Sequence, residues 1–339
     1  VLRDHAVMVA GAVGAGLIAG VLLFVPFVAL SYRRRGRLTP GRAVMWAGAL
    51  VYFWAIWAFT LLPLPDRHAF TCAGRNLNLL LMRSDALEAV ARHGGVVPGL
   101  LGDVVILQIA LNVVLFLPFG FFLRTLAGRG VLSATLLGFG LSLFIEVTQL
   151  TGVWGIYPCA YRVFDVDDLL LNTVGALLGS LCALMVPGTR EEIDPAAPRP
   201  VTRARRMLAM ICDLLSYALA SATVTVVLGI ADVYGVIGID DPLRTAGLAA
   251  AVLVLICVLV TGGTPGDHAV RLRYGGGPVA RVLRFIGGIG GCALLLCSGF
   301  PVLGAAWAAI GVSTWVLTVR GLPGVLSGRM LLDARTVRN

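Results

Sequence analysis

Stretches of about twenty apolar residues recur along this chain, and a stretch of that length crosses a bilayer as a helix. They are read at 6–31, 42–64, 105–125, 131–150, 168–187, 207–231, 244–262, 285–298 and 303–319. In hydrocarbon every backbone polar group must be satisfied within the protein, so helices are the structure expected. Of 339 residues, 58% are hydrophobic and 13% charged, with a mean hydropathy of +0.91. A soluble globular chain carries about 25% charged residues. The balance excludes a soluble enzyme, a disordered chain and a collagen-like chain. The fold class expected is all-α, a polytopic transmembrane helical bundle of about nine spans, five plus four. Residues 285–319 are long for one span and short for two. The glycines between Gly287 and Gly291, and the break at Pro301, favour two short helices or a re-entrant pair.

Charge sets the expected orientation. All 27 basic side chains are Arg. The segments 32–42, 124–130, 188–206, 263–284 and 320–339 hold 20 of them; the others are Arg3, Arg67, Arg75, Arg83, Arg92, Arg162 and Arg244. Basic loops stay cytoplasmic. The N-terminus is therefore expected outside and the C-terminus in the cytoplasm. The net charge of +9 then reflects topology and calls for no nucleic-acid partner. The first helix has neither a charged n-region nor an A-x-A site, and reads as a retained span. The location expected is a bacterial cytoplasmic (plasma) membrane, crossed several times.

The linker is expected at 188–206, rich in Pro and mixed in charge, between membrane domains at 1–187 and 207–334. Residues 65–104 form a long outer segment. Its apolar stretch Leu77–Met82 is too short to span and is expected to lie in the interface or to dip in as a re-entrant loop. Cys182, Cys212, Cys257, Cys292 and Cys297 fall in apolar runs and act as small hydrophobes. Cys72 and Cys159 both fall on the expected outer side, where a disulfide forms; unpaired thiols are the alternative. No ATP-binding loop, Ser-His-Asp set or zinc-ligand spacing occurs, and His5, His68, His93 and His268 are scattered.

Ionisable groups inside a membrane are costly and therefore point to function. Two acids fall well inside the spans, Glu146 and Asp213. Ser142, Glu146 and Gln149 share one helix face by their spacing, as do Asp168, Asn172, Gly175 and Gly179. The small pair Gly175 and Gly179 permits close helix contact. Asn112 precedes Pro118, which kinks or opens its helix. Arg162, Asp165 and Asp167 lie just above. The expectation is a polar pocket opening outward, roofed by 151–167. Glu146, Asp168 and Arg162 are the candidate catalytic groups, and Asn112, Gln149, Asn172 and Asp165 the candidate substrate contacts. Glu146 suits acid/base work. Asp165, Asp167 and Asp168 are candidate ligands of a divalent cation. Arg162 suits a phosphate or carboxylate. The structural alternatives are a Glu146–Arg162 pair locking two helices, Asp165 and Asp167 as helix caps, and the amides as interhelical glue.

The stretches NVVLFLPFGFFL (112–123), SLFIEVTQL (142–150) and RVFDVDDLLLNTVGALLG (162–179) resemble the VanZ-like family over roughly residues 40–187. RNLNLLLM (75–82) departs from that family's N-L-x-P-F element. The second half resembles an RDD-family module: Arg206, Ala209 and Asp213 fit its opening signature, and 262–284 its internal segment. LPG at 322–324 stands where that family has a second Asp. The first resemblance implies a cell-envelope role and low-level resistance to teicoplanin, a glycopeptide that bears an acyl chain. The second implies cation/proton exchange.

Four functions follow in order, the last a scaffold that binds membrane-protein partners through its helices. The first is a pocket that binds or modifies a lipid-linked or lipophilic molecule. The second is a membrane enzyme acting on an isoprenoid or phospholipid head group. The third is a cation/proton transporter. The partners expected are a membrane lipid or lipid-linked cell-wall precursor, a membrane protein, or a second copy. For Arg206 and Asp213 the structural alternative is an ion contact anchoring one helix.

Overall fold

The computed structural model describes residues 2–62, 64–66, 70–79, 81–96, 103–186, 194–235, 238, 240–318 and 320–336, with side chains from Ile18 onward, Leu81 excepted. Residues 188–193 of the linker, Arg67 and His68 lie outside the described residues, as do the side chains of Arg3 and His5. The chain divides into two compact units, Val1–Ile18 with Thr39–Glu191, and Ala19–Leu38 with Glu192–Asn339. The first helix, α1 (Leu2–Arg35), contributes to both. The sequence boundary near 187 places all of α1 in the first domain, whereas the structure groups its second half with the second unit.

In the first unit, α2 (Pro40–Leu61) starts at Thr39, whose hydroxyl accepts from Arg42 N at 3.4 Å, with Pro at the first helical position. Proline is tolerated there because its missing N–H would have no helical partner. A two-residue strand β1 (Arg75–Asn76) and α3 (Leu81–His93) follow. Next come α4 (Val104–Thr125), with Pro118 inside it, and α5 (Val131–Leu150). The strand β2 (Phe164–Asp165) pairs in parallel with β1 and leads into α6 (Val166–Cys182). Arg42 is buried and donates to Leu126 O at 2.8 Å, tying the start of α2 to the end of α4.

Helices α4 and α6 form the tightest pair. A Cβ on Gly120 would collide with the Ala176 carbonyl, one on Gly175 with the Val113 carbonyl, and one on Gly179 with the Leu117 carbonyl. Absent side chains let the two backbones touch, as small residues do in membranes. Ile56, Phe116 and Ile145, from α2, α4 and α5, form the apolar centre.

The second unit holds α7 (Arg203–Val233), α8 (Pro242–Thr261) and a short α9 (Pro265–Ala269). The strands β3 (Leu272–Tyr274) and β4 (Leu331–Asp333) pair antiparallel. Between them run α10 (Pro278–Gly287), α11 (Ile289–Cys297), α12 (Pro301–Leu317) and α13 (Gly321–Ser327). The expected single helix at 285–298 is corrected: it breaks at Gly288, and α10 and α11 meet at 63°. Helices α12 and α13 meet at 92°. Val28 and Tyr32 of α1 are buried against Ala209, Cys212, Ala269 and Val270.

Among the described residues six helices are long and apolar enough to cross a membrane, and the two bent pairs raise that to eight. The all-α membrane bundle is thus present, with two minimal sheets added at loop positions.

Candidate functional site

The polar side chains anticipated around α4, α5 and α6 gather at one end of the first unit. Cys72 and Cys159 form a disulfide there, with Cα atoms 5.6 Å apart. It fastens the β1 segment to the loop between α5 and α6, assisted by Ala73 N donating to Ala160 O at 2.8 Å. Within that loop Val153 and Trp154 have left-handed backbones, φ 55° and 57°. Such a conformation is costly for a β-branched residue. Tyr157 N donating to Gly152 O at 2.8 Å and Tyr157 OH donating to Pro65 O at 3.0 Å hold the turn.

Glu146 lies in the last turns of α5 and is 3% exposed. One carboxylate oxygen accepts from Asp165 N at 3.0 Å. The structural alternative, an ion pair with Arg162, is not formed. The Arg162 guanidinium donates to Thr60 O and Leu62 O instead, each at 3.1 Å. A helix C-terminus exposes carbonyls that lack helical partners, and a cation there complements the dipole. Gln149 reaches the same place, its Nε2 donating to Thr60 O at 2.6 Å. Glu146 therefore forms no ion pair among the described residues, with Arg162 nearby and bonded elsewhere.

The aspartates part company. Asp165 is the N-cap of α6, accepting from Asp167 N at 2.9 Å and from Asn76 Nδ2 at 3.2 Å. Asp167 accepts from Met82 N at 3.3 Å. Asp168 accepts from Asn112 Nδ2, with Gln108 also within hydrogen-bonding reach. Asp165, Asp167 and Asp168 are the candidate cation ligands. Each is turned toward a different element, and no group of three or more acidic, His or Cys side chains among the described residues is arranged to hold a metal. Asn172 Nδ2 donates to Ser142 Oγ at 2.9 Å, while its Oδ1 is buried without a partner.

Sequence reasoning missed Asn76 and Met82 N, which bring the outer segment onto Asp165 and Asp167. The signal was available in RNLNLLLM, whose first Asn sits directly before the apolar stretch. Backbone carbonyl partners such as Thr60 O carry no side-chain signature.

In the second unit Arg206 and Asp213 turn to separate anchors. Arg206 donates to Thr318 O at 3.0 Å. Asp213 accepts from Gly266 N at 2.7 Å and from the Thr264 hydroxyl at 2.8 Å. Asp213 thus holds the start of α9. A second acid, Asp333, was not anticipated: it accepts from Arg205 NH1 at 2.7 Å and Arg335 NH2 at 2.6 Å.

Comparison with known families matches residues 46–187 to the model of VanZ/LLP1. The match contains the disulfide and every polar group of the first-unit site. No curated protein and no solved structure matches the chain.

Proposed function

We propose, from a multi-pass membrane protein whose residues 46–187 are of the VanZ type, that the end of the bundle around Glu146 binds or modifies a lipid-linked or lipophilic molecule of the cell envelope. In this reading the disulfide-bearing end faces outward and the Arg-rich segments face the cytoplasm, in accord with the bias of basic loops. The membrane is a bacterial plasma membrane, and protection against an acylated glycopeptide such as teicoplanin is the expected consequence.

The observation that carries the reading is Glu146 itself. It is a buried carboxylate in an apolar helix, held by one backbone N–H and by no ion pair among the described residues. A charge kept for helix locking alone would be matched by Arg162, which is close by and bonded elsewhere. Buried acids without a bonded counter-charge are expensive, and they persist at ligand and proton sites. Asn172 Oδ1, one helix away and unsatisfied, adds a second acceptor for a donor-bearing ligand. Arg162 is engaged by carbonyls, which disfavours a version in which it grips phosphate.

The test is drug sensitivity in a susceptible Gram-positive host, with empty vector, wild type and Glu146→Gln at equal membrane abundance. Wild type raises the inhibitory concentration of teicoplanin and leaves that of vancomycin unchanged. Glu146→Gln, which keeps shape and removes the charge, returns it to the vector level. Equal protection by the variant overturns the role of Glu146. Absence of any rise with wild type overturns the glycopeptide reading.

A further inference from the structure

The second unit contains a cavity of about 400 Å3, within the range of small-molecule sites. Its two long walls are α7 and α12. The α7 wall presents Met207, Met210 and Leu214; the α12 wall presents Trp307, Gly311 and Trp315. Helix α7 packs on α8 and α9, and α12 packs on α11 and α13, so the walls face each other across a gap. They are joined at one end, where Trp315 Nε1 donates to Arg203 O at 3.2 Å. Met207, Met210 and Leu214 are 44%, 43% and 56% exposed. In a bilayer such a wall is reached from the side by lipid.

The closed end is charged. Arg206, Arg284 and Arg320 line it together with Asp213 and Asp267. The acids are already satisfied: Asp267 pairs with Arg284, and Asp213 is held by Gly266 N and Thr264. Arg284 also lies over the Tyr274 ring, 3.9 Å from its centroid. Arg320 is exposed and forms no ion pair among the described residues. An apolar slot open to lipid thus ends in a charged floor where three Arg face two Asp, and that surplus positive charge selects the occupant.

We propose that the cavity binds an anionic membrane phospholipid. Its head phosphate sits at Arg320, with Arg206, buried and held by the Thr318 carbonyl, adding positive potential behind it, and one acyl chain lies between α7 and α12. The guanidinium fork of Arg320 matches phosphate oxygens, and flexible Met side chains accommodate a chain of variable path. This inference does not depend on the reading of the first unit.

The experiment is native mass spectrometry of the full chain in a mild detergent, titrated with phosphatidylglycerol or with phosphatidylcholine. Two variants divide the site. Gly311→Phe fills the slot, and its Cβ meets open space, so the helix has no cause to move. Arg320→Gln removes one charge from an exposed side chain. Wild type is expected to retain one phosphatidylglycerol with about tenfold preference over phosphatidylcholine, the effect of one charge-assisted contact. Gly311→Phe loses the bound lipid, and Arg320→Gln loses the preference while still binding lipid. Thermal unfolding of both variants close to wild type ties these losses to the cavity. Equal retention of the two lipids, or retention untouched by Gly311→Phe, overturns the proposal. So does displacement of phosphatidylglycerol by millimolar inorganic phosphate, since the acyl chain would then contribute nothing.

Discussion

Asp333 shows what one residue does in this chain. It is 3% exposed and accepts hydrogen bonds from both Arg205 and Arg335 and from Arg199 N. Arg205 then donates onward to Val270 O and Arg271 O, each at 2.8 Å, so one carboxylate fixes the tail, the linker and β3. Burial alone would push its carboxyl up, but the hydrogen bonds from Arg335, Arg205 and Arg199 outweigh that and hold it well below the usual carboxylate range. A depressed folded value stabilises the protein above the unfolded value of about 3.9, and that contribution is lost as the pH falls through the folded value. Asp333→Asn should lower stability by about 3 kcal/mol near neutrality, the cost of stripping one partner from a buried pair. The difference in melting temperature between wild type and variant should hold steady from pH 8 to about pH 5 and narrow below it. A gap that does not change down to about pH 3 would mean that the carboxylate charge is not what matters.

At the scale of elements, the contact between α4 and α6 is set by glycines and amides. Lipid is as apolar as leucine, so burial of apolar side chains drives helix association weakly in a membrane. Backbone approach and interhelical hydrogen bonds do the work instead, here Gly120, Gly175 and Gly179 with the Asn112–Asp168 contact. Gly179→Leu would drive a side chain into the Leu117 carbonyl and should cost about 1–3 kcal/mol, the range for overpacking. Gly140→Leu on α5 meets nothing within 4 Å and serves as the control, with little change. Thermal melts of the two variants in detergent decide between them, and similar melts would remove glycine contact as the cause.

Much of this level was legible in the apolar runs. The span read at 131–150 coincides with α5, and that read at 105–125 differs from α4 by one residue. The close pair Gly175 and Gly179 was visible in its spacing, as was the Cys72–Cys159 disulfide in the topology. Helix α3 was not, because its mixed composition lacks an apolar face that a reader can follow. Gly288 sits among several glycines, any of which could break a helix; its backbone, at φ −98° and ψ −149°, is what selects it. The site was legible in its residue types and illegible in its pairings. Glu146, Asp168 and Arg162 stand out as polar groups in apolar sequence. That Arg162 would choose the carbonyls ending α2 depends on where a helix stops in space.

The whole molecule turns on α1. An apolar run announces a span without naming its neighbours, which is why the sequence boundary assigns the entire helix to the first domain. In the structure Val28 is fully buried and Tyr32 is 5% exposed within the second unit. Arg205, the partner of Asp333, lies over the Tyr32 ring, 5.5 Å from its centroid. Residues 192–339 therefore lack part of the core they pack on, although they contain α7 to α13. Expressed alone, that fragment should accumulate poorly in the membrane and melt lower than the same fragment co-expressed with residues 1–38. In the intact chain Tyr32→Ala should cost roughly 3 kcal/mol, the low end for deleting a buried aromatic ring. Stripping the ring from Arg205 should also weaken the Asp333 cluster, so Tyr32→Ala and Asp333→Asn should be non-additive in a double-mutant cycle. Additive losses, or a fragment indifferent to residues 1–38, would place the stability of the second unit wholly within residues 192–339.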